Sequence, residues 1–136
     1  MPKNKPHKPD PGQVPIKWAA DVAEHDYAAA EAYLSIKLPA ATVDDALTRL
    51  RKAKLTQRRA NDILRASGLD PAPLDDPGVV KDLIKVIKGK KLSPVLVAGA
   101  PGDTDIADGF HRVSLVYRID PYGTVPLKLA EAKKDG

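Results

Sequence analysis

The stretch DIADGFHRVSL, residues 105–115, changes in its middle from a strand-like pattern to a helical one. Its first residues are typical of the end of a strand, and the apolar spacing from Phe110 onward predicts a helix. Gly109 lies between the two, and His111 and Arg112 follow it directly. A strand that passes through glycine into a helix places this charged pair in the first helical turn. The stretch therefore predicts a ligand site at a strand-to-helix junction.

The residue types at this junction indicate the chemistry of the ligand. Glycine allows a ligand to approach the backbone closely, and the first amides of a helix lack internal acceptors and attract anions. Arg112 can offer a bidentate fork to phosphate, and His111 can donate a hydrogen bond or carry a proton. Asp108 could orient His111, hold a metal ion or accept a proton. We expect a phosphate pocket, with Asp108 and His111 as catalytic candidates.

Composition limits the function classes. A chain of 136 residues is long enough for one domain with its own core. The absence of cysteine excludes thiol catalysis, iron–sulfur clusters and thiolate zinc sites. The net charge is +4, but residues 1–17 hold four lysines and one aspartate and so account for +3 of it. The remainder is nearly neutral, which argues against a basic surface over the whole domain.

The N-terminal segment, residues 1–17, is rich in proline and lysine. Five prolines fall within its first 15 residues, and each fixes φ and removes an amide donor. We therefore expect a disordered tail. It has no apolar run typical of a signal peptide, and no stretch of the chain approaches the ~20 apolar residues of a membrane span. We expect a cytoplasmic protein without a membrane partner.

Residues 18–70 are predicted to be helical. A first helix is expected from Trp18 to the break at Pro39, with Tyr27, Ala30 and Leu34 on one face. Thr42 is predicted to cap a second helix, and Thr56 a third that ends at a left-handed Gly68. The last two helices would form a tight pair similar to a helix-turn-helix.

Residues 71–132 are predicted to form a core of helix, strand, turn, strand, helix and strand, joined with the helical part into one compact domain. Asp76 and Pro77 begin the first helix, and Gly89 ends it. Its predicted apolar stripe consists of Val79, Val80, Leu83, Ile84 and Ile87. The whole chain is expected to be an α/β (α+β) protein, with a small mixed sheet and an N-terminal helical layer.

Residues 81–130 resemble the ParB/sulfiredoxin fold family. Three segments carry the resemblance: SPVLV at 93–97, DGFHR at 108–112 and VPL at 125–127. They occur in the family's order and spacing, as a polar-proline-apolar strand, a glycine-histidine-arginine turn and a closing strand. The stretch before them resembles the N-terminal part of uncharacterised bacterial ParB-like proteins, which carries no known activity.

The resemblance implies a phosphate or nucleotide site. Family members use the glycine-histidine-arginine turn to hold phosphates of a nucleotide or a nucleic acid. By matching positions, the contacts here would be Gly109, Phe110, His111 and Arg112, with Asp108 beside them. Ser93 and Pro94 would line the opposite wall, and Mg²⁺ could accompany a nucleotide.

Departures from the family pattern exclude some activities. Sulfiredoxins carry their catalytic cysteine where this chain has Phe110, so sulfinic-acid reduction is excluded. Partition-type ParB proteins have an acid and two arginines after the glycine, so a CTP-operated DNA clamp is not expected. Free-serine kinases of this fold carry an aspartate where Asp108 stands, but they need a second carboxylate. The available candidates are Glu24, Asp26, Asp75 and Asp76.

The sequence leaves three functions open, and with them the question of whether the protein is an enzyme. The first is a nucleotide- or phosphate-binding protein, extending to a small phosphotransferase or NTP hydrolase. The second is a nucleic-acid-binding protein, with nuclease action as a weaker variant. Its candidate contacts are Arg49, Arg51, Lys52, Arg58 and Arg59. The third is a regulatory, antitoxin-like module that binds a partner, in which the turn has lost its ligand.

Overall fold

The structure, a computed structural model, describes residues 15–100 and 103–131. In chain order its elements are β1 (Lys17–Trp18), α1 (Glu24–Lys37), α2 (Ala40–Lys52), β2 (Thr56–Arg59), α3 (Ala60–Ser67), α4 (Pro77–Ile87), β3 (Lys91–Leu92), β4 (Val95–Ala100), β5 (Asp103–Asp108), α5 (Phe110–Ile119) and β6 (Thr124–Glu131). Helices and strands thus mix along the chain, which confirms the predicted α/β class.

The main sheet has four strands in the order β2-β6-β4-β5. Strands β4 and β6 are parallel, with Val95 opposite Leu127, whereas β2 and β5 pair antiparallel to their neighbours at the two edges. The predicted mixed sheet is confirmed. A second, two-stranded parallel sheet joins Lys17–Trp18 to Lys91–Leu92 and ties the start of the described chain to the segment before β4.

Helices cover both faces of the main sheet. Successive side chains of a strand point to opposite faces, so Leu96 packs with α1 and α2 while Val95 and Val97 pack with α3 and α5. The first face also buries Tyr27, as the helical spacing predicts. A third cluster packs α4 against α5. These layers bring the start of α1, α4 and the start of α5 to one end of β4 and β5.

The second half of the chain follows its prediction closely. Asp76 Oδ2 accepts hydrogen bonds from the amides of Gly78 (2.9 Å) and Val79 (3.3 Å), which makes it the N-cap of α4, with Pro77 in the first turn. Gly89 has a φ of 74° at the end of that helix. The strands β4, β5 and β6 and the helix α5 all occur where the sequence placed them.

The predicted stripe on α4 is partly wrong. Val79 is buried, but Ile84 and Ile87 are 45% and 61% exposed, and Val86 is buried instead. Helix α4 packs against α5 and β3, so it buries a narrower stripe of apolar residues than the sequence predicts.

Several predictions for the first half are wrong. Trp18 lies in strand β1, and α1 begins only at Glu24. Helix α2 begins after Pro39, so Thr42 is not its N-cap. Thr56 does not cap a helix either: Thr56–Arg59 is a strand that pairs with β6, and no helix-turn-helix-like pair forms. Pairing with β6 overrides the weak helical propensity of this stretch.

The tail predicted to be disordered was given residue 17 as its last residue, and this bound is wrong. Lys17 belongs to β1. The rest of that expectation, for residues 1–14, lies outside the described part of the chain. Within residues 15–100 and 103–131, no helix has the length and apolar character needed to cross a membrane. The cytoplasmic location stays a prediction.

Candidate functional site

A cleft of about 480 Å³ opens beside the turn that follows β5. Four parts of the chain form its walls: the segment leading into α1, helix α4, strand β3 with Ser93, and the first turn of α5. Its lining residues are Ala19, Ala23, His25, Asp26, Gly78, Lys81, Asp82, Lys85, Lys91, Leu92, Ser93, Asp108, Gly109, Phe110, His111 and Arg112. The volume falls in the range of about 300–1,000 Å³ that is usual for small-molecule sites.

Gly109 makes the turn possible for two reasons. Its φ of 110° is a left-handed value that favours glycine. A Cβ at this position would also lie 2.7 Å from Val95 Cγ2 and 3.0 Å from an Arg112 guanidinium nitrogen. The turn therefore packs directly on strand β4. As the N-cap of α5, Gly109 has no side chain to satisfy the first amides of the helix, and the residues of that first turn line the cleft.

The Arg112 guanidinium is buried and hydrogen-bonded within the protein, so it is not free to bind a phosphate. We call its arrangement with Asp26 and Asp108 the clamp. One guanidinium nitrogen donates to Asp26 Oδ2 (3.0 Å) and to the Ser93 carbonyl oxygen (2.9 Å), and the other donates to Asp108 Oδ2 (2.6 Å). The Arg112 side chain is only 11% exposed. Its charge is thus engaged by two carboxylates, from α1 and from β5. The sequence did not foresee this, because nothing local indicates that Asp26 reaches a residue 86 positions away.

The two carboxylates of this clamp differ in their protonation behaviour. Burial tends to raise the pKa of Asp26, but hydrogen bonds from Ser93 and Arg112 outweigh it, so its pKa is lowered. Burial raises the pKa of Asp108; Arg112 opposes that shift, and the nearby charge of Asp26 adds to it. Asp26 therefore stays ionised to lower pH, and Asp108 takes up a proton more readily.

His111 is held between α5 and the start of α4. Its Nε2 lies 3.2 Å from Asp76 Oδ2, and its side chain is 48% exposed. The ring packs directly on Gly78, where a Cβ would come within 2.6 Å of ring atoms. His111 thus faces the cleft in a fixed position. The sequence did not indicate Gly78 as a site residue, because a glycine in the first turn of a helix gives no sign of a contact with His111.

Lysines and one aspartate from α4 and β3 complete the walls. Lys81, Lys85 and Lys91 line the cleft, and none forms an ion pair with a described residue. Asp82 lies on the same helix as Lys81 and Lys85 and also lines the cleft, and burial raises its pKa against the opposing charges of Arg112 and Lys85. In the sequence, lysines 81, 85, 88, 90 and 91 are typical mostly of a polar helix face, from which Lys85 or Lys88 could reach a bound phosphate, and Asp82 has no predicted role. The cleft is thus lined by both lysines and carboxylates.

Of the remaining predicted site residues, Ser93 and Phe110 line the cleft and Pro94 does not. Ser93 lines the cleft, and its hydroxyl accepts a hydrogen bond from the Ala23 amide (3.0 Å). Pro94 is fully buried and does not line the cleft. Phe110 packs against two of the core clusters and lines the cleft without closing it.

Of the four candidate second carboxylates, only Asp26 lines the cleft, and Asp76 reaches it indirectly through His111. Asp26 meets Arg112, and Asp76 meets His111. Glu24 pairs with Arg51 instead. Asp75 is exposed and does not line the cleft.

The five candidate nucleic-acid contacts do not form one surface helix pair. Arg49 and Arg51 form ion pairs with Asp45 and Glu24, respectively. Lys52 is exposed at the end of α2. Arg58 and Arg59 lie on the edge strand β2, where Arg59 stands 5.9 Å from the ring centre of the exposed Tyr122.

A metal ion held by the protein alone does not fit the described residues. In residues 15–100 and 103–131, no group of three or more histidine, cysteine or carboxylate side chains is placed to hold one. Asp26 and Asp108 already bind Arg112. Mg²⁺ commonly needs only one or two carboxylates when a nucleotide supplies phosphate oxygens, and Asp82 is the lining carboxylate whose oxygens are open to that role.

Comparison with known proteins gives this chain no relatives: no protein-family model, no curated protein and no solved structure matches it. The resemblance to the ParB/sulfiredoxin fold family therefore stays a prediction.

Proposed function

We propose that the cleft binds a nucleotide or another ligand that carries phosphate. The observation that carries this proposal is the meeting of four cationic or amide-rich elements at one opening: Lys81 and Lys85 of α4, Lys91 of β3 and the first turn of α5. Ion-paired lysines would offer little to a ligand, but these three have no ion pair within the described chain. A phosphate placed there gains both charge and helix-start amides.

Each part of the site has a separate task in this proposal. The lysines attract and hold the phosphate, and His111, fixed by Asp76, donates a further hydrogen bond. Arg112 does not contact the ligand through its engaged nitrogens. Instead it holds Asp26 and Asp108 together and so keeps the α5 turn against α1. Arg112 is a positioning residue.

Calorimetric titration tests the proposal. The probes are inorganic phosphate, pyrophosphate and the four ribonucleoside triphosphates, each with and without Mg²⁺. Removing a hydrogen bond to a charged group costs about 1.5–3 kcal/mol, so a Lys81→Ala/Lys85→Ala double variant should bind at least tenfold more weakly. Lys88→Ala is the matched control, because Lys88 is an exposed lysine at the end of the same helix and does not line the cleft.

Two results would refute phosphate binding. One is the absence of heat with every probe. The other is an equal loss of affinity in the double variant and in Lys88→Ala, which would mean that binding depends on general charge.

The fluorescence of Trp18 gives a second readout of binding, since Trp18 is the single tryptophan of the chain and packs in the same clusters as Phe110 of the cleft wall.

The enzymatic form of the proposal is a small phosphotransferase or NTP hydrolase. Asp108, whose pKa is raised, would accept a proton, and His111 would contact the phosphate. Phosphate release from the bound triphosphate, measured for the wild type and for His111→Ala, tests this form. Binding without turnover would leave a binding protein.

Nucleic-acid binding is the second candidate function, favoured by the basic edge strand β2 beside an exposed aromatic ring. Arg58 and Arg59 are exposed there, and Tyr122 is 64% exposed. A cationic strand with an aromatic platform suits single-stranded nucleic acid. Retention on a single-stranded DNA column should fall steeply with salt and weaken in Arg58→Ala/Arg59→Ala; retention that ignores both changes would reject it.

A further inference from the structure

Asp82 differs from every other carboxylate that lines the cleft. Asp26 and Asp108 are bound by Arg112. Asp82 lies on the same wall as Lys81 and Lys85, is partly buried, and has no hydrogen bond or ion pair with a described residue. A partly buried carboxylate that accepts no hydrogen bond is costly, and burial raises its pKa although cationic side chains nearby oppose the shift. Its acceptor oxygens are therefore available to a ligand in the cleft.

The surrounding charges decide which donor suits Asp82. The electrostatic neighbours of its carboxylate are Arg112, Lys85, His111 and Lys81. This cationic surrounding disfavours a ligand ammonium group, since like charges in a partly dry cleft repel. A neutral hydroxyl donates a hydrogen bond without that repulsion. A carboxylate that lines the same cleft as Lys81 and Lys85 thus fits a ligand whose hydroxyl lies close to its phosphate.

We propose that Asp82 is the residue that determines ligand specificity and accepts a hydrogen bond from a sugar hydroxyl, so that the ligand is a phosphorylated sugar or a ribonucleotide. This inference rests on the proposed phosphate site. The phosphate of the ligand meets the lysines and the start of α5, and the hydroxyl meets Asp82. Inorganic phosphate has no sugar hydroxyl, so it would contact the lysines and the start of α5 but would leave Asp82 without a hydrogen-bond donor.

The experiment compares ligands that differ in their hydroxyls. The full-length protein is titrated with ATP, 2′,3′-dideoxy-ATP, ribose 5-phosphate and pyrophosphate. The wild type should prefer ATP over its dideoxy analogue by at least fivefold. In Asp82→Ala this preference should disappear, while pyrophosphate should bind as well or more tightly because one negative charge is gone. Asp82→Asn keeps an acceptor oxygen and should retain part of the preference. Ribose 5-phosphate distinguishes a sugar phosphate from a nucleotide, since it carries no base.

The controls separate failure of this inference from failure of the phosphate site. Asp75→Ala removes an exposed aspartate outside the cleft and should change nothing. If the wild type binds no probe, pyrophosphate included, the phosphate site itself is wrong. If pyrophosphate binds but Asp82→Ala keeps the wild-type preference for ATP, the role of Asp82 is wrong.

A metal role for Asp82 is separated by running each titration in EDTA and in Mg²⁺. An effect of Asp82→Ala that occurs only in Mg²⁺ would make the residue a metal ligand and overturn the inference. Circular dichroism checks that the variants fold. Should Asp82→Ala not fold, Asp82→Asn must show a reduced preference for ATP in EDTA; an undiminished preference overturns the inference equally.

Discussion

Replacing Arg112 by alanine should destabilise the protein strongly, because it leaves two buried carboxylates without their cation. The guanidinium makes three hydrogen bonds, to Asp26, Asp108 and the Ser93 carbonyl oxygen. The side chains of the two aspartates are only 8% and 18% exposed. Breaking a buried ion pair from one side costs about 3–5 kcal/mol. Such a loss is a large fraction of the roughly 5–15 kcal/mol that stabilises a typical domain.

Urea unfolding measures this loss, with Arg65→Ala as the control. Arg65 is exposed on α3 and has no ion pair within the described chain, so its removal should change the free energy of unfolding by less than about 1 kcal/mol. Adding Asp26→Asn and Asp108→Asn to an Arg112→Met variant should restore most of the stability, since the charges of all three side chains are then gone. Equal losses for Arg112→Ala and Arg65→Ala would refute the clamp. So would a triple variant no more stable than Arg112→Met alone.

Three further predictions concern other parts of the fold. Gly109→Ala should cost about 2–5 kcal/mol in thermal unfolding, against about 1–2 for Gly68→Ala, because both have positive φ but only the first meets a neighbouring side chain; equal costs would contradict the close packing of the turn. Burial raises the pKa of Asp82 in the folded state above its value of about 4 in the unfolded chain, so the stability that Asp82 contributes should fall as the pH rises above about 4. Asp82→Asn should therefore gain stability relative to the wild type as the pH rises above about 4 in urea titrations, and a falling difference would contradict this. Tyr27→Phe should cost about 1–3 kcal/mol, since the buried Lys128 ammonium loses a 2.8 Å hydrogen bond to the Tyr27 hydroxyl; an unchanged melting temperature would count against that contact.

The sequence predicts best where local signals and packing agree. Asp76 and Pro77 are strong signals for a helix start, and Gly89 is an equally strong signal for its end. Gly109, followed by apolar residues at helical spacing, places α5 correctly. These signals act within a few residues and need no knowledge of the rest of the chain.

Pairing between distant segments is what the sequence could not supply. Strand β2 forms because β6 offers it a partner, although residues 56–59 carry three long polar side chains with no alternation of apolar residues. The parallel pairing of β1 with β3 has the same origin. The same limit applies to the site, where the turn at Gly109 was identifiable but the contact of Asp26 with Arg112 was not.

The clamp joins residues 86 positions apart, and the Ser93 hydroxyl meets the amide of Ala23 across 70 positions. Closing loops of that length costs chain entropy that is recovered only when the remote contacts form, whereas the helices and the β4–β5 hairpin rely on neighbours. During refolding, the helices and the β4–β5 hairpin can therefore form early, whereas the cleft is complete only when these remote contacts have formed.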